Sequence, residues 1–250
     1  MKIAAIIPAR YGSTRLPGKP LIEIKGKPLI QYVYEQAKAS SAQQVIVATD
    51  DKRILIKVKE LGGEAVLTSS NHRSGTDRVA EVAANLESDI VVNVQGDEPL
   101  IRPEDIDRAI SPLAQDSSIM MTTLAYPLLD GADLYNPHVV KVVIDLNGFA
   151  LYFSRSPIPY SAEVRGKISD DPLTKNKILK GYWQHTGLYA YRRDFLLKIT
   201  ALPPTPLERQ EGLEQLRVLE NGYKIKVVTA TAPSISIDTP EDLQRFKSMI

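Results

Sequence analysis

The chain has 250 residues, 43% of them hydrophobic and 24% charged, a balance typical of globular proteins and far from disordered compositions. Lys and Arg total 31 against 30 Asp and Glu, so the net charge of +1 excludes a general nucleic-acid or membrane-surface binder. With no cysteine there is no disulfide, Cys-ligated zinc, iron–sulfur cluster or thiol catalysis, and His72, His138 and His185 are too scattered for a sequence-local metal motif.

Strand-like and helix-like segments alternate from the start. Residues 2–8 form a short apolar run rich in isoleucine, interrupted by Pro8 and far too short to cross a bilayer, so a soluble, cytoplasmic protein is expected. Residues 28–39 carry Leu29, Val33 and Ala37 at helical spacing. Strands are predicted over 45–49, 65–68 and 89–94, and helices over 52–61, 77–86 and 103–114, the last with proline at its first position. This βα rhythm means right-handed crossovers and a parallel sheet. After residue 118 the rhythm changes. Strands are predicted over 120–126, 139–145 and 149–154, with Asn147-Gly148 as a hairpin turn, and the proline-bearing stretch 156–180 reads as irregular. A strand over 187–192, helices over 194–200 and 207–221, and a strand over 224–230 follow. Thr239-Pro240 then caps a final helix. The expectation is a single α/β domain, 1–250, with an inserted, partly antiparallel arm over about 126–182.

The strongest chemical signal is the loop 8–20, which leaves the carboxyl end of the first strand, where open α/β sheets bind ligands. Residues 1–27 carry six cations against Glu23 alone, which suggests one anionic ligand. Within the loop, Gly12 allows close backbone approach, Ser13 and Thr14 offer hydroxyls, and Arg10, Arg15 and Lys19 offer guanidinium forks and a point charge. Those are the parts that hold a triphosphate. It is not a Walker loop: five residues separate Gly12 from Gly18, and Pro20 stands where Ser or Thr is needed.

The segments 7–21 (IPARYGSTRLPGKPL), 93–100 (NVQGDEPL), 150–155 (ALYFSR), 213–219 (LEQLRVL) and 237–243 (IDTPEDL) together resemble the 3-deoxy-manno-octulosonate cytidylyltransferases, in order along essentially the whole chain. The resemblance implies a Rossmann-like nucleotidyltransferase fold, three-layer α/β/α with a mostly parallel mixed sheet, in a homodimer. It implies a reaction in which CTP and 3-deoxy-manno-octulosonate (Kdo) give CMP-Kdo and pyrophosphate with Mg²⁺, in lipopolysaccharide or related surface-polysaccharide synthesis.

The residues support that chemistry on their own terms to different degrees. Asp97 follows the strand 89–94, and Asp238 follows the run 234–237; if both strands run parallel to the first, the two carboxylates converge near the loop. Magnesium is held by one or two carboxylates and substrate phosphates. Asp97 could instead be a turn residue and Asp238 a helix cap, with Glu98 as a second choice of ligand; the resemblance makes Asp97 and Asp238 the metal ligands. Ser74, Gly75, Thr76 and Arg78 lie between a strand and a helix. Ser74 or Thr76 reads locally as an N-cap, and the resemblance makes this stretch the cytosine site. Gln95 is expected at both substrates. Arg155 suits an acid sugar. Glu208, Glu211 and Gln215 fall at i, i+3 and i+7 of the predicted helix, a spacing equally fitting for a solvated face. The resemblance places His185, Tyr189, Glu208 and Gln215 at the sugar, and Glu211 extends that set along the helix. Lys19, Asp97, Asp238 and Arg10 are the expected catalytic set. The nearest alternative is the same chemistry on an 8-amino-Kdo or sialic-acid-like sugar; a non-catalytic nucleotide-binding protein is the alternative of a different class.

Overall fold

Short runs of isoleucine, valine and alanine become the central strands because they are buried on both faces. The computed structural model describes residues 1–12, 16–162, 179–233 and 236–250. In chain order these form β1 (Ile3–Ala9), a two-stranded ribbon of β2 (Glu23–Ile24) and β3 (Lys27–Pro28), α1 (Leu29–Lys38), β4 (Gln44–Thr49), α2 (Lys52–Glu60), β5 (Glu64–Leu67), α3 (Gly75–Ala84), β6 (Ile90–Asn93) and α4 (Pro103–Gln115). Then come β7 (Met121–Pro127), α5 (Gly131–Tyr135), β8 (Lys141–Ile144), β9 (Ala150–Ser154), β10 (Trp183–Arg192), α6 (Arg193–Thr200), α7 (Pro206–Glu211), α8 (Gln215–Glu220), β11 (Lys226–Thr229) and α9 (Pro240–Met249).

The main sheet runs β11-β7-β10-β6-β1-β4-β5, with β8 joined to β10 and β9 to β8. β1 is parallel to β4 and β6, whereas β10 is antiparallel to both β6 and β7. Side-chain alternation along β1 and β4 divides the core between the two faces. Ala5, Ile7, Val45 and Val47 meet Val33 of α1, Ile54 of α2 and Ile106 of α4. Ile6, Ile46 and Ala48 face Val79 of α3, Phe195 of α6 and Leu216 of α8. Helices thus cover both faces, giving the expected three-layer α/β/α arrangement with a mixed sheet. A smaller cluster, in which Leu16, Ile24 and Leu29 pack on Ile237, Leu243 and Phe246, docks the last helix beside the loop after β1.

Four local expectations change. The helix predicted over 207–221 is two helices, because Gly212 adopts φ 63° and ends α7. β10 begins at Trp183, earlier than its apolar pattern suggests, with a register shift between Thr186 and Tyr189. Residues 236–237 are not in a strand; Ile237 N–H instead donates to the Asp97 carbonyl at 2.9 Å. The five-residue α5 carried no helical periodicity long enough to read. Within the expected arm, β8 and β9 form the antiparallel hairpin that Asn147-Gly148 signals. Residues 163–178 of that arm lie outside the described residues.

Candidate functional site

The site forms where β1 and β6 end side by side. Two glycines make that approach possible. A Cβ on Gly96 would stand 2.6 Å from the Pro8 carbonyl oxygen, so only glycine lets the 95–98 turn press against the end of β1. Gly18 has φ +70° and its N–H donates to the Tyr11 carbonyl, which closes the base of the loop, while the Arg53 guanidinium stacks 3.4 Å above the Tyr11 ring. Of the loop residues expected to hold phosphate, Arg10, Gly12 and Lys19 are described; Ser13, Thr14 and Arg15 lie outside the described residues.

Lys19 opens a short 3₁₀ turn, Lys19–Leu21, and points its ammonium between two acidic residues from distant parts of the chain. Its Nζ lies 2.8 Å from Asp97 Oδ2, 3.2 Å from Asp238 Oδ1 and 2.7 Å from the Ile237 carbonyl. Asp238 does not cap α9; Thr239 does, in a capping box with Asp242, whose carboxylate also accepts the Asp238 N–H. This leaves the Asp238 carboxylate directed at Lys19. Two carboxylates meeting around one cation form an all-oxygen donor set that suits a hard divalent ion completed by water or phosphate. No group of three or more His, Asp or Glu side chains suited to a metal occurs among the described residues.

Two cavities open on this pair. One of about 260 Å³ is lined by Arg10, Lys19, His72, Arg73, Ser74 and Arg78 among others; the second, of about 400 Å³, reaches Arg155, Tyr189, Glu214 and Gln215. Gly75, Gln95, Asp97 and Asp238 line both. Ser74 is the N-cap of α3, its Oγ accepting from Asp77 N–H, so one of its two readings is local structure. Thr76 faces the larger cavity rather than the smaller one. The Arg78 guanidinium is buried and engaged by Asp50, Thr68 and Ser69, which ties the start of α3 to the ends of β4 and β5. His72 and Arg73, which carried no sequence signal beyond their type, join this wall; His72 is bonded to Glu81.

The expected sugar residues separate into wall and support. Arg155 and Tyr189 line the larger cavity, as does Gln215, whose buried Nε2 has no hydrogen-bond partner among the described residues. Glu208 and Glu211 do not share a face with Gln215, because Gly212 turns the chain between α7 and α8. Glu208 completes a capping box with Thr205 and pairs with Arg217. Glu211 accepts from Ser154 Oγ at 2.6 Å and from the Arg155 N–H at 3.0 Å, and its carbonyl accepts from Arg155 Nε. It braces Arg155 from behind. His185 lies behind Tyr189, with ring centroids 5.4 Å apart, edge-on to Phe153 and bonded to Thr123 Oγ1. Burial holds its pKa down at about 3. The acidic residue that helical spacing missed is Glu214: burial raises its pKa, opposed by hydrogen bonds with Thr76 and Ser74. Its signal was the 213–219 segment itself.

Comparison with known proteins adds a second line. A family model described as cytidylyltransferase matches residues 4–225. The chain is 57% identical to the 3-deoxy-manno-octulosonate cytidylyltransferase of Geotalea uraniireducens, over 98% of this chain and 97% of that one. Its counterpart in Geobacter sulfurreducens is 51% identical over 98% of both. A solved structure of CMP:2-keto-3-deoxy-manno-octonic acid synthetase complexed with CTP superposes with TM-score 0.90 at 41% identity, covering 100% of this chain and 98% of that one. The 4-diphosphocytidyl-2C-methyl-D-erythritol synthase of Anaerococcus prevotii shares the fold, at TM-score 0.63 and 16% identity.

Proposed function

The chain belongs to the 3-deoxy-manno-octulosonate cytidylyltransferases, within the cytidylyltransferase family, and from that membership we propose how its own residues divide the work. The reaction joins CTP and Kdo into CMP-Kdo and pyrophosphate. A sugar hydroxyl oxygen bonds to the α-phosphorus, and the bond from that phosphorus to the leaving pyrophosphate breaks. Such a transfer depends on alignment and on charge neutralisation more than on covalent chemistry by the protein.

The observation that carries the assignment is that the two cavities share Asp97, Asp238, Gln95 and Gly75. In this reading the smaller cavity takes the nucleotide. Arg10, Arg15 and Lys19 neutralise its phosphates and the Ser13 and Thr14 hydroxyls donate to them, while the N-terminal turn of α3 meets the base. The larger cavity takes the acid sugar. Arg155 meets its carboxylate, and Tyr189, Glu214 and the open donor on Gln215 meet its hydroxyls. Asp97 and Asp238 would hold Mg²⁺ where the substrates meet, and the bound ion would supply charge to polarise the hydroxyl and offset the phosphates. Glu208, Glu211 and His185 support the walls from behind, and Arg78, which lines the smaller cavity, is itself held by Asp50, Thr68 and Ser69. No described helix is long and apolar enough to cross a membrane. Work on the cytoplasmic side, feeding surface-polysaccharide assembly, fits these substrates.

Pyrophosphate release with CTP and Kdo, each omitted in turn, tests the reaction, and an 8-amino-Kdo and a sialic acid in place of Kdo test the sugar. Asp97→Asn and Asp238→Asn should each lower kcat by about 10²-fold or more with the fold intact. A variant with near-native kcat at saturating magnesium would remove that residue from the metal site.

A further inference from the structure

We propose that Lys19 is an internal counter-cation that keeps Asp97 and Asp238 closed to a divalent ion until a nucleotide triphosphate arrives, so that metal and nucleotide bind together. The proposal rests on the reading that these two carboxylates are the metal site. Three facts carry it. The ammonium has three protons, and three acceptors surround it within 3.2 Å: Asp97 Oδ2, Asp238 Oδ1 and the Ile237 carbonyl. It therefore has no proton left for a phosphate oxygen unless it leaves at least one of these partners. The Lys19 side chain is only 13% exposed and its Asp97 partner 29%, so that pair is partly shielded from solvent, whereas Asp238 is 40% exposed and its pair is screened more. And the protein offers a metal only two carboxylates at this point, among the described residues.

These facts together make metal binding conditional. A divalent ion meeting the nucleotide-free protein has to displace a preformed cation and then complete its shell with water. A bound triphosphate changes both requirements. Its oxygens supply the missing ligands, the usual way in which magnesium is held. Its negative charge also gives Lys19 a new partner in the same cavity, which Lys19 already lines. Lys19 thus exchanges carboxylate for phosphate as the metal takes the carboxylates, and each step removes the obstacle to the other. The ammonium also holds together two like charges that would repel each other without it.

Mn²⁺ binding to nucleotide-free protein, read from the electron paramagnetic resonance signal of unbound Mn²⁺, tests this without any turnover. Lys19→Met should bind Mn²⁺ at least about tenfold tighter than the native protein, the equivalent of about 1.4 kcal/mol. Lys19→Gln, which keeps hydrogen-bond donors without the charge, should do the same, and it stands in if Lys19→Met fails to fold. Lys19→Arg should stay as weak as native, and Asp97→Asn added to Lys19→Met should abolish the gain. Equal or weaker Mn²⁺ binding in both uncharged variants overturns the proposal, since Lys19 would then organise the site rather than guard it. If Asp97→Asn and Asp238→Asn keep near-native turnover, the metal-site reading fails, whatever the Mn²⁺ affinities.

Discussion

His185 shows how a side chain can matter to a site without forming its wall. It is enclosed by Phe153, Tyr189 and Thr123, and burial alone drives its pKa from 6.5 to about 3. The native state therefore keeps the imidazole neutral while the unfolded chain protonates below about pH 6.5. Because the folded pKa is depressed, the stabilisation is present above pH 6.5 and is lost as pH falls toward 3. His185 is half-buried by area, so between pH 7 and pH 5 the native protein should lose about 1–2 kcal/mol more stability than His185→Gln. Urea melts of both proteins at the two pH values measure the difference; parallel losses would mean the ring is not held neutral. Glu214 is shifted the opposite way in pKa by the same physical cause, and it faces the cavity while His185 does not.

The hairpin β8–β9 and the break between α7 and α8 together set Arg155. Its N–H and Nε are taken by Glu211 at the end of α7, and Nη1 donates to the Pro137 carbonyl. Beneath it lies Lys141, fully buried on β8, whose Nζ donates to the carbonyls of Asn136, Val139 and Arg155 at 2.6–3.0 Å. Burial, helped by the neighbouring Arg155 charge, lowers the pKa of this ammonium. Lys141→Met relieves the buried charge but strands three carbonyls, each costing about 1–3 kcal/mol when left unsatisfied. The loss at the carbonyls outweighs the relief, so the variant should be destabilised by about 2–4 kcal/mol in urea melts. With the Arg155 carbonyl unanchored, KM for the sugar should rise more than KM for CTP. An equal rise in both would mean that Lys141 supports only the fold.

Beyond the single chain, the insertion between β7 and β10 carries several exposed large apolar side chains. Leu129, Tyr135, Leu146, Leu151 and Tyr160 are exposed there. β9 pairs with β8 alone among the described strands, while its first residue, Ala150, donates its N–H to the Ile225 carbonyl. A single domain with this insertion as an interface between two copies is the assembly we favour, with two-fold symmetry as the default. Light scattering at micromolar concentration should give a mass near twice 27.7 kDa. Leu151→Arg should shift it toward the single-chain mass while leaving the helical signal unchanged. A mass near 27.7 kDa for the native protein would refute the interface.

The order of strands and helices, the loop after β1 and the Asp97 turn were legible in the chain because each depends on neighbours in sequence. Buried strands declare themselves by composition, caps such as Ser74 and Thr239 act within one turn, and glycines mark turns. Distance along the chain hid the rest. Lys19 meets Asp238 across 219 residues, and no local rule says that its ammonium would stand between two carboxylates. The 207–221 stretch carries helical periodicity throughout, yet Gly212 takes a left-handed conformation and Leu213 and Leu216 turn into the core. That packing brings Glu214 and Gln215 to the cavity and leaves Glu208 and Glu211 to brace Arg217 and Arg155. Periodicity records which face is apolar; which acidic group reaches a ligand depends on how the chain turns between helices, and tertiary packing sets that turn.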